Sequence, residues 1–193
     1  IYDGWGFPSG KMAFRSQMMQ LPTGGGKTIV FNSIVKDFVG RGEVALIVAH
    51  RKELIYQAAE KFGRLTGLDA DIVMGSTKRL HKDSLVKVGS IQTLSVRIKR
   101  NREGEYLGDS LEFEKPPSLI VIDEAHHVTA RSYRKLLEYY PEAKVLQVTA
   151  TPCRTSGAGF ADVADRLLVG VSVKELEEMW ENADKRDTGL TPT

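Results

Sequence analysis

At 193 residues, with 41% hydrophobic and 27% charged positions, the chain is long enough for one domain with a real core, and its composition excludes a disordered protein. No apolar run approaches a membrane span and no signal-peptide pattern opens the chain, while one cysteine, Cys153, excludes an internal disulfide framework and fits a reducing, cytoplasmic setting. A net charge of +2 leaves any case for nucleic acid to local clusters, and a chain that begins at Ile1 is expected to be a fragment.

Residues 1–17, with Gly4, Gly6, Pro8, Ser9 and Gly10, read as a lead-in loop. Met18-Met19-Gln20-Leu21 predicts a strand. Apolar pairs at Val30/Phe31, Ile34/Val35 and Phe38/Val39 then predict a helix that stops near Gly40. The unbroken apolar run at 44–49 is that of a parallel strand covered on both faces. A second helix follows from Lys52, with Leu54, Ala58, Phe62 and Leu65 on one side. Short strand-like runs come at 70–74 and 86–91, and the most loop-like insert at 101–117. A buried strand at 119–122 precedes a helix carrying Tyr133, Leu136, Leu137 and Tyr140, and 145–148 reads as the last strand. Ser172 and Glu175 form a capping box opening a helix through Leu176 and Trp180. Strands alternating with helices imply an α/β fold, a mostly parallel sheet with helices on both faces. Ligands on such sheets bind beyond the carboxyl ends of the strands.

The stretch Leu21-Pro22-Thr23-Gly24-Gly25-Gly26-Lys27-Thr28 lies at such an end. Its glycines let backbone N–H groups face an anion, and a helix starting at Lys27 adds its unpaired amides and the positive end of its dipole. Lys27 supplies a mobile charge for terminal phosphates, and the Thr28 hydroxyl a magnesium ligand. Residues 22–28 therefore read as a phosphate-binding loop for ATP, with Leu21 where the strict pattern has its first glycine. A phosphate loop needs a second magnesium partner, an acid at the end of a neighbouring buried strand, and Asp123 fits that role. Glu124 is then placed to polarise an attacking water. His126 and His127 do not make a metal site, because adjacent helical residues diverge by about 100° and no ligand lies at suitable spacing. A nucleophilic role for Cys153 has nothing to support it.

Three of these segments, 21–28, Asp123-Glu124-Ala125-His126 and Thr149-Ala150-Thr151-Pro152, resemble motifs I, II and III of superfamily-two helicases of the DEAH type. Residues 48–54 resemble motif Ia, and Gly89-Ser90-Ile91-Gln92-Thr93-Leu94 the motif after it. The order agrees over residues 18–155. The resemblance implies an N-terminal RecA-like P-loop ATPase domain of the restriction-enzyme and DNA-repair branch over 18–170, with 171–193 as helix and linker toward a second domain. By that likeness Pro22, Thr23, Gly24, Gly25, Gly26, Lys27 and Thr28 hold ATP, Thr28 and Asp123 the Mg2+, and Lys27, Asp123, Glu124 and His126 serve catalysis. His50, Arg51, Gln92 and Thr93 would lie along the bound strand, while His126, Thr149 and Thr151 couple nucleotide state to domain movement. Arg154 and residues 157–160 resemble the exit toward the second domain, which would carry the arginine finger; an adenine-reading glutamine segment is not matched within 1–17.

Two basic clusters suit phosphate contacts: Arg97, Lys99, Arg100 and Arg102, and Lys78, Arg79, His81 and Lys82. The expected partner is single-stranded or duplex nucleic acid, with DNA favoured on the likeness of 50–54 and 123–127 to the DNA-translocating branch. An RNA helicase and a non-catalytic nucleotide-sensing scaffold are the alternatives, and a metabolic kinase ranks last because it has no use for residues 149–152.

Overall fold

The computed structural model describes residues 1–7, 10–49, 52–75, 81–99, 111, 113–125, 130–150 and 164–170. Eleven elements follow in chain order: β1 (Ser16–Gln20), α1 (Lys27–Gly40), β2 (Ala45–Ala49), α2 (Lys52–Thr66), β3 (Asp71–Val73), β4 (Val86–Ser90), α3 (Ile91–Arg97), β5 (Leu119–Asp123), α4 (Ala130–Tyr139), β6 (Lys144–Thr149) and β7 (Arg166–Val169). The strands form one seven-stranded sheet in the order β3-β4-β2-β5-β6-β1-β7. Every pairing is parallel.

The alternation of strand side chains divides the core into two layers. Ala45, Ile47 and Ala49 of β2, with Leu119 and Val121 of β5, meet Phe31, Ile34, Val35 and Phe38 of α1 and Ile55, Ala58 and Phe62 of α2. Leu46, Val48, Ile120 and Ile122 point the other way, onto Ile91 and Leu94 of α3 and Tyr133 and Leu136 of α4. Moving from β1 to β2 to β3 the chain travels toward one edge with its helices over one face. From β4 to β5 to β6 it travels back with its helices over the other. Right-handed crossovers require that reversal. The central strands β2 and β5, buried on both faces, account for the unbroken apolar runs in the sequence.

α1 ends at Gly40 as expected, and the left-handed turn that follows it is made by Gly42, at φ 73°. Several other expectations are corrected. On α2 the buried stripe is Ile55, Ala58 and Phe62, and Leu65 is 48% exposed. Ile91 opens a helix instead of ending a strand, because the Ser90 hydroxyl accepts from the Thr93 N–H and starts α3 there. The last described strand is β7, not β6. β7 is a four-residue edge strand whose Leu167 is 51% exposed, too short and too open to show a pattern. Residues 172–180, with the capping box at Ser172 and Glu175, lie outside the described residues, as do most of residues 101–117.

The lead-in is packed, not loose. Trp5 is buried, donates its indole N–H to Arg15 O at 3.1 Å, and meets Phe38 edge-on. The Tyr2 hydroxyl donates to Asp37 at 2.7 Å. The Arg15 guanidinium donates to the carbonyls of Leu137, Tyr140 and Ala143, closing the carboxyl end of α4. Among the described residues no helix is long and apolar enough to cross a membrane.

Candidate active site

Strand β1 runs between β6 and β7, and the chain leaves it between fixed neighbours. The Leu21 N–H donates to Thr149 O at 3.1 Å, and the Gly170 N–H donates to Gln20 O at 2.9 Å. Leu21 is buried, and a Cβ at position 170 would collide with its side chain. This explains why a leucine stands at the first position of the loop: the residue continues the strand into the core and makes no glycine turn.

Each of the three following glycines has its own reason. Gly24 and Gly26 adopt φ 81° and 80°, the left-handed region, with open space where a Cβ would be. At Gly25 the obstacle is steric, since a Cβ would sit 2.9 Å from Pro22 O. The Gly25 N–H closes the turn on that same carbonyl, 2.9 Å away. α1 then begins at Lys27 with no side-chain cap on Gly26 and no acidic residue in its first turn, so the positive end of its dipole faces the loop uncompensated. The Lys27 ammonium folds back over the loop, donating to Leu21 O and Pro22 O, each at 3.2 Å. Thr23 and Gly24 are exposed and Pro22 and Thr28 half-buried.

Two strands across, β5 ends in Asp123. The register sets Asp123 against Val148, and Thr149 against Gln20, so buried Thr149 lies between the loop and the acid. Two strand spacings amount to about 9–10 Å. Burial pushes the Asp123 carboxyl above its ordinary value and the neighbouring Glu124 charge adds to this; its bond from the Glu124 N–H and the charges of Lys27 and Lys61 pull the other way. Glu124 sits at φ 52°, the one non-glycine left-handed residue among those described. Such a conformation costs about 1–2 kcal/mol and is tolerated where the backbone must turn a side chain in a particular direction.

The remaining candidates divide. Gln92 is exposed on the first turn of α3, at the carboxyl end of β4, and Thr93 takes part in the cap with Ser90. His50 and Arg51, which follow the end of β2, lie outside the described residues, as do His126, Thr151 and Cys153. Of the basic groups, Arg97 donates to Met74 O at 2.9 Å and Lys99 and Lys82 are exposed. His81 is engaged by Asp71 at 2.8 Å, which raises its pKa above the ordinary value. Lys78, Arg79, Arg100 and Arg102 lie outside the described residues. One polar residue that the sequence reading passed over, Asn32, is buried on α1 within the otherwise apolar stripe; a polar side chain four residues beyond Thr28 was the available signal.

Residues 11–154 match the family model described as the res subunit of type III restriction enzymes. The chain belongs to this family. Its fold is that of the N-terminal RecA-like domain of superfamily-two helicases. It is 32% identical over 178 residues to the putative ATP-dependent helicase IRC3 of Saccharomyces cerevisiae, covering 84% of this chain and 24% of that protein. The UvsW helicase of bacteriophage T4 superposes with a TM-score of 0.62 at 18% identity, over 81% of this chain and 55% of UvsW. The Sulfolobus solfataricus SWI2/SNF2 ATPase core, solved in complex with double-stranded DNA, superposes with a TM-score of 0.54 at 16% identity, over 72% of this chain and 28% of that one. This res-subunit-type domain spans 24–29% of the length of the first curated relatives it matches.

Proposed function

We propose that this domain binds ATP with magnesium and belongs to a DNA-dependent helicase or translocase, in which hydrolysis requires a second RecA-like domain. The observation that carries the reading is the register that sets Asp123, with Glu124 after it, at the end of β5, across β6 from the strand that leads into the glycine loop. The backbone amides of residues 24–28 and the Lys27 ammonium would take the phosphates. Lys27 has to leave the carbonyls of Leu21 and Pro22 to do so, exchanging two charge-assisted bonds for stronger ones to phosphate oxygens.

The donor set fits magnesium. One hydroxyl, Thr28, and one buried carboxylate, Asp123, are too few for an all-protein cation cage but suit an ion that keeps waters and shares substrate phosphates. An ionised Asp123 held in a buried position also gains from a nearby cation. When bound, magnesium would neutralise charge on the transferring phosphoryl group. Glu124, turned by its left-handed backbone, is the base that would orient and deprotonate the attacking water. Thr149, buried between the loop and Asp123, would pass a change at the nucleotide to the chain after β6. The preference for DNA is supported by the family and by the DNA held by the Sulfolobus neighbour, and the contacts would run through Gln92, Thr93, His50 and Arg51.

The test is nucleotide binding and ATP turnover in the intact protein, with single-stranded DNA, duplex DNA or RNA added separately. Lys27→Ala is expected to remove nucleotide binding, and DNA to stimulate turnover more than RNA. Turnover stimulated by RNA and not by DNA would give the substrate assignment to RNA. Nucleotide binding that survives Lys27→Ala unchanged would refute the loop assignment.

A further inference from the structure

Asn32 is 1% exposed, and among the described residues neither its Nδ2 nor its Oδ1 has a hydrogen-bond partner. A buried carboxamide without partners is costly, and a chain that needed only packing here would be served by leucine or alanine. Its position suggests what completes it. Asn32 lies four residues beyond Thr28 on α1, on the same face of the helix, and helical side chains lean toward the N-terminus, over the preceding turn. Helix spacing therefore aims the buried carboxamide toward the turn that carries Thr28, on the side of α1 that packs over β2, β5 and β6, and β5 is the strand that ends in Asp123.

A threonine hydroxyl has one proton and two lone pairs. If one lone pair is to face a cation, the proton must be taken by an acceptor on the protein side. We propose that Asn32 is a positioning residue for the magnesium side of the nucleotide site: once that site is filled, its Oδ1 accepts the Thr28 hydroxyl proton, directly or through one buried water, and so turns an oxygen lone pair toward the metal. The inference rests on the nucleotide reading given above and goes beyond it by naming a residue that touches neither nucleotide nor metal.

The experiment measures binding of a fluorescent ATP analogue to the intact protein as magnesium is titrated, and again in EDTA, for the wild type, Asn32→Leu and Lys27→Ala. Asn32→Leu removes the acceptor at similar volume. It is expected to need about fivefold more magnesium for half-maximal binding, the order of one lost hydrogen bond, with nucleotide affinity in EDTA unchanged and thermal stability equal or higher. A magnesium shift below about threefold, or an equal loss of affinity in EDTA, overturns the proposal. Should Asn32→Leu fail to fold, Asn32→Ala removes the same acceptor and is read by the same criteria. The wild type and Lys27→Ala keep the two readings apart. No Lys27-dependent binding in the wild type overturns the nucleotide reading and the Asn32 proposal together, whereas Lys27-dependent binding with an unaltered magnesium midpoint in Asn32→Leu overturns the Asn32 proposal alone.

Discussion

Glu124 and Asp123 both hold states that a residue chosen for stability alone would avoid. Glu124→Gly relieves the left-handed strain and should raise thermal stability by about 1 kcal/mol, or a few degrees in Tm for a domain of this size, while abolishing hydrolysis; an unchanged or lower Tm would show that the backbone there is not strained. Asp123 carries the complementary cost in its charge. Its pKa is raised above 3.8, chiefly by burial, so between the unfolded and folded values the native state keeps a proton that the unfolded chain has lost. Stability therefore falls as pH rises through the folded value, and Asp123→Asn should remove that slope and be the more stable protein at neutral pH, read from thermal melts across about pH 4–7. His81 runs the same way with pH, but through a favourable partner and not through burial. Its bond to Asp71 raises its pKa above 6.5, so the pair's contribution is fully present below that value and disappears as pH rises through the folded one. An NMR titration of the His81 ring in the wild type and in Asp71→Asn checks this, with a lower midpoint expected in the variant.

At the scale of elements, the glycine loop and α1 behave as one device built from three different constraints. Gly26→Ala meets no neighbouring atom, so its penalty is purely conformational, whereas Gly25→Ala has to displace the Pro22 carbonyl that closes the turn. Both should weaken nucleotide binding in an equilibrium titration, and Gly25→Ala should also move Lys27, whose ammonium rests on the same carbonyl. α1 and its strand were legible because apolar pairing and glycine chemistry are local signals. α3 was not: Val86, Val88 and Ile91 lie close enough to read as one short β-like run, and only the fold reveals that Ser90 caps a helix there. The α2 stripe differs from expectation at its two ends: Ile55 is the buried residue where Leu54 is only partly covered, and Leu65 faces out, because a single chain carries no signal for which neighbouring aliphatic faces the sheet. Asn32 was missed for a related reason, since a polar residue inside an apolar stripe looks like noise until its burial is known.

At the scale of the molecule, parallel topology and two-sided packing followed from the order of elements, and the ends of β1, β5 and β6 fell where the phosphate loop, the acid pair and Thr149 were placed in the sequence. The packing of the lead-in and the existence of β7 were not legible, since both are held by long-range contacts: Trp5 against Phe38 of α1, and β7 against β1. Phe38→Ala, which empties the position where Trp5 and Phe7 meet α1, should cost about 3–5 kcal/mol in denaturant unfolding, enough to threaten a single domain. Since the curated relatives extend well beyond this domain, we expect the 193 residues alone to turn over ATP slowly even with DNA, and strong DNA-stimulated turnover by the isolated chain would refute a requirement for a second RecA-like domain. The pairing of β7 has a mechanical meaning as well. The backbone that departs at Gly170 is bonded to Gln20, at the root of the glycine loop, along a strand parallel to β1. A pull on the chain beyond Gly170 thus loads a row of parallel ladder bonds in shear and arrives at the root of the loop. The fold places the point where force would enter next to the point where phosphate would be held.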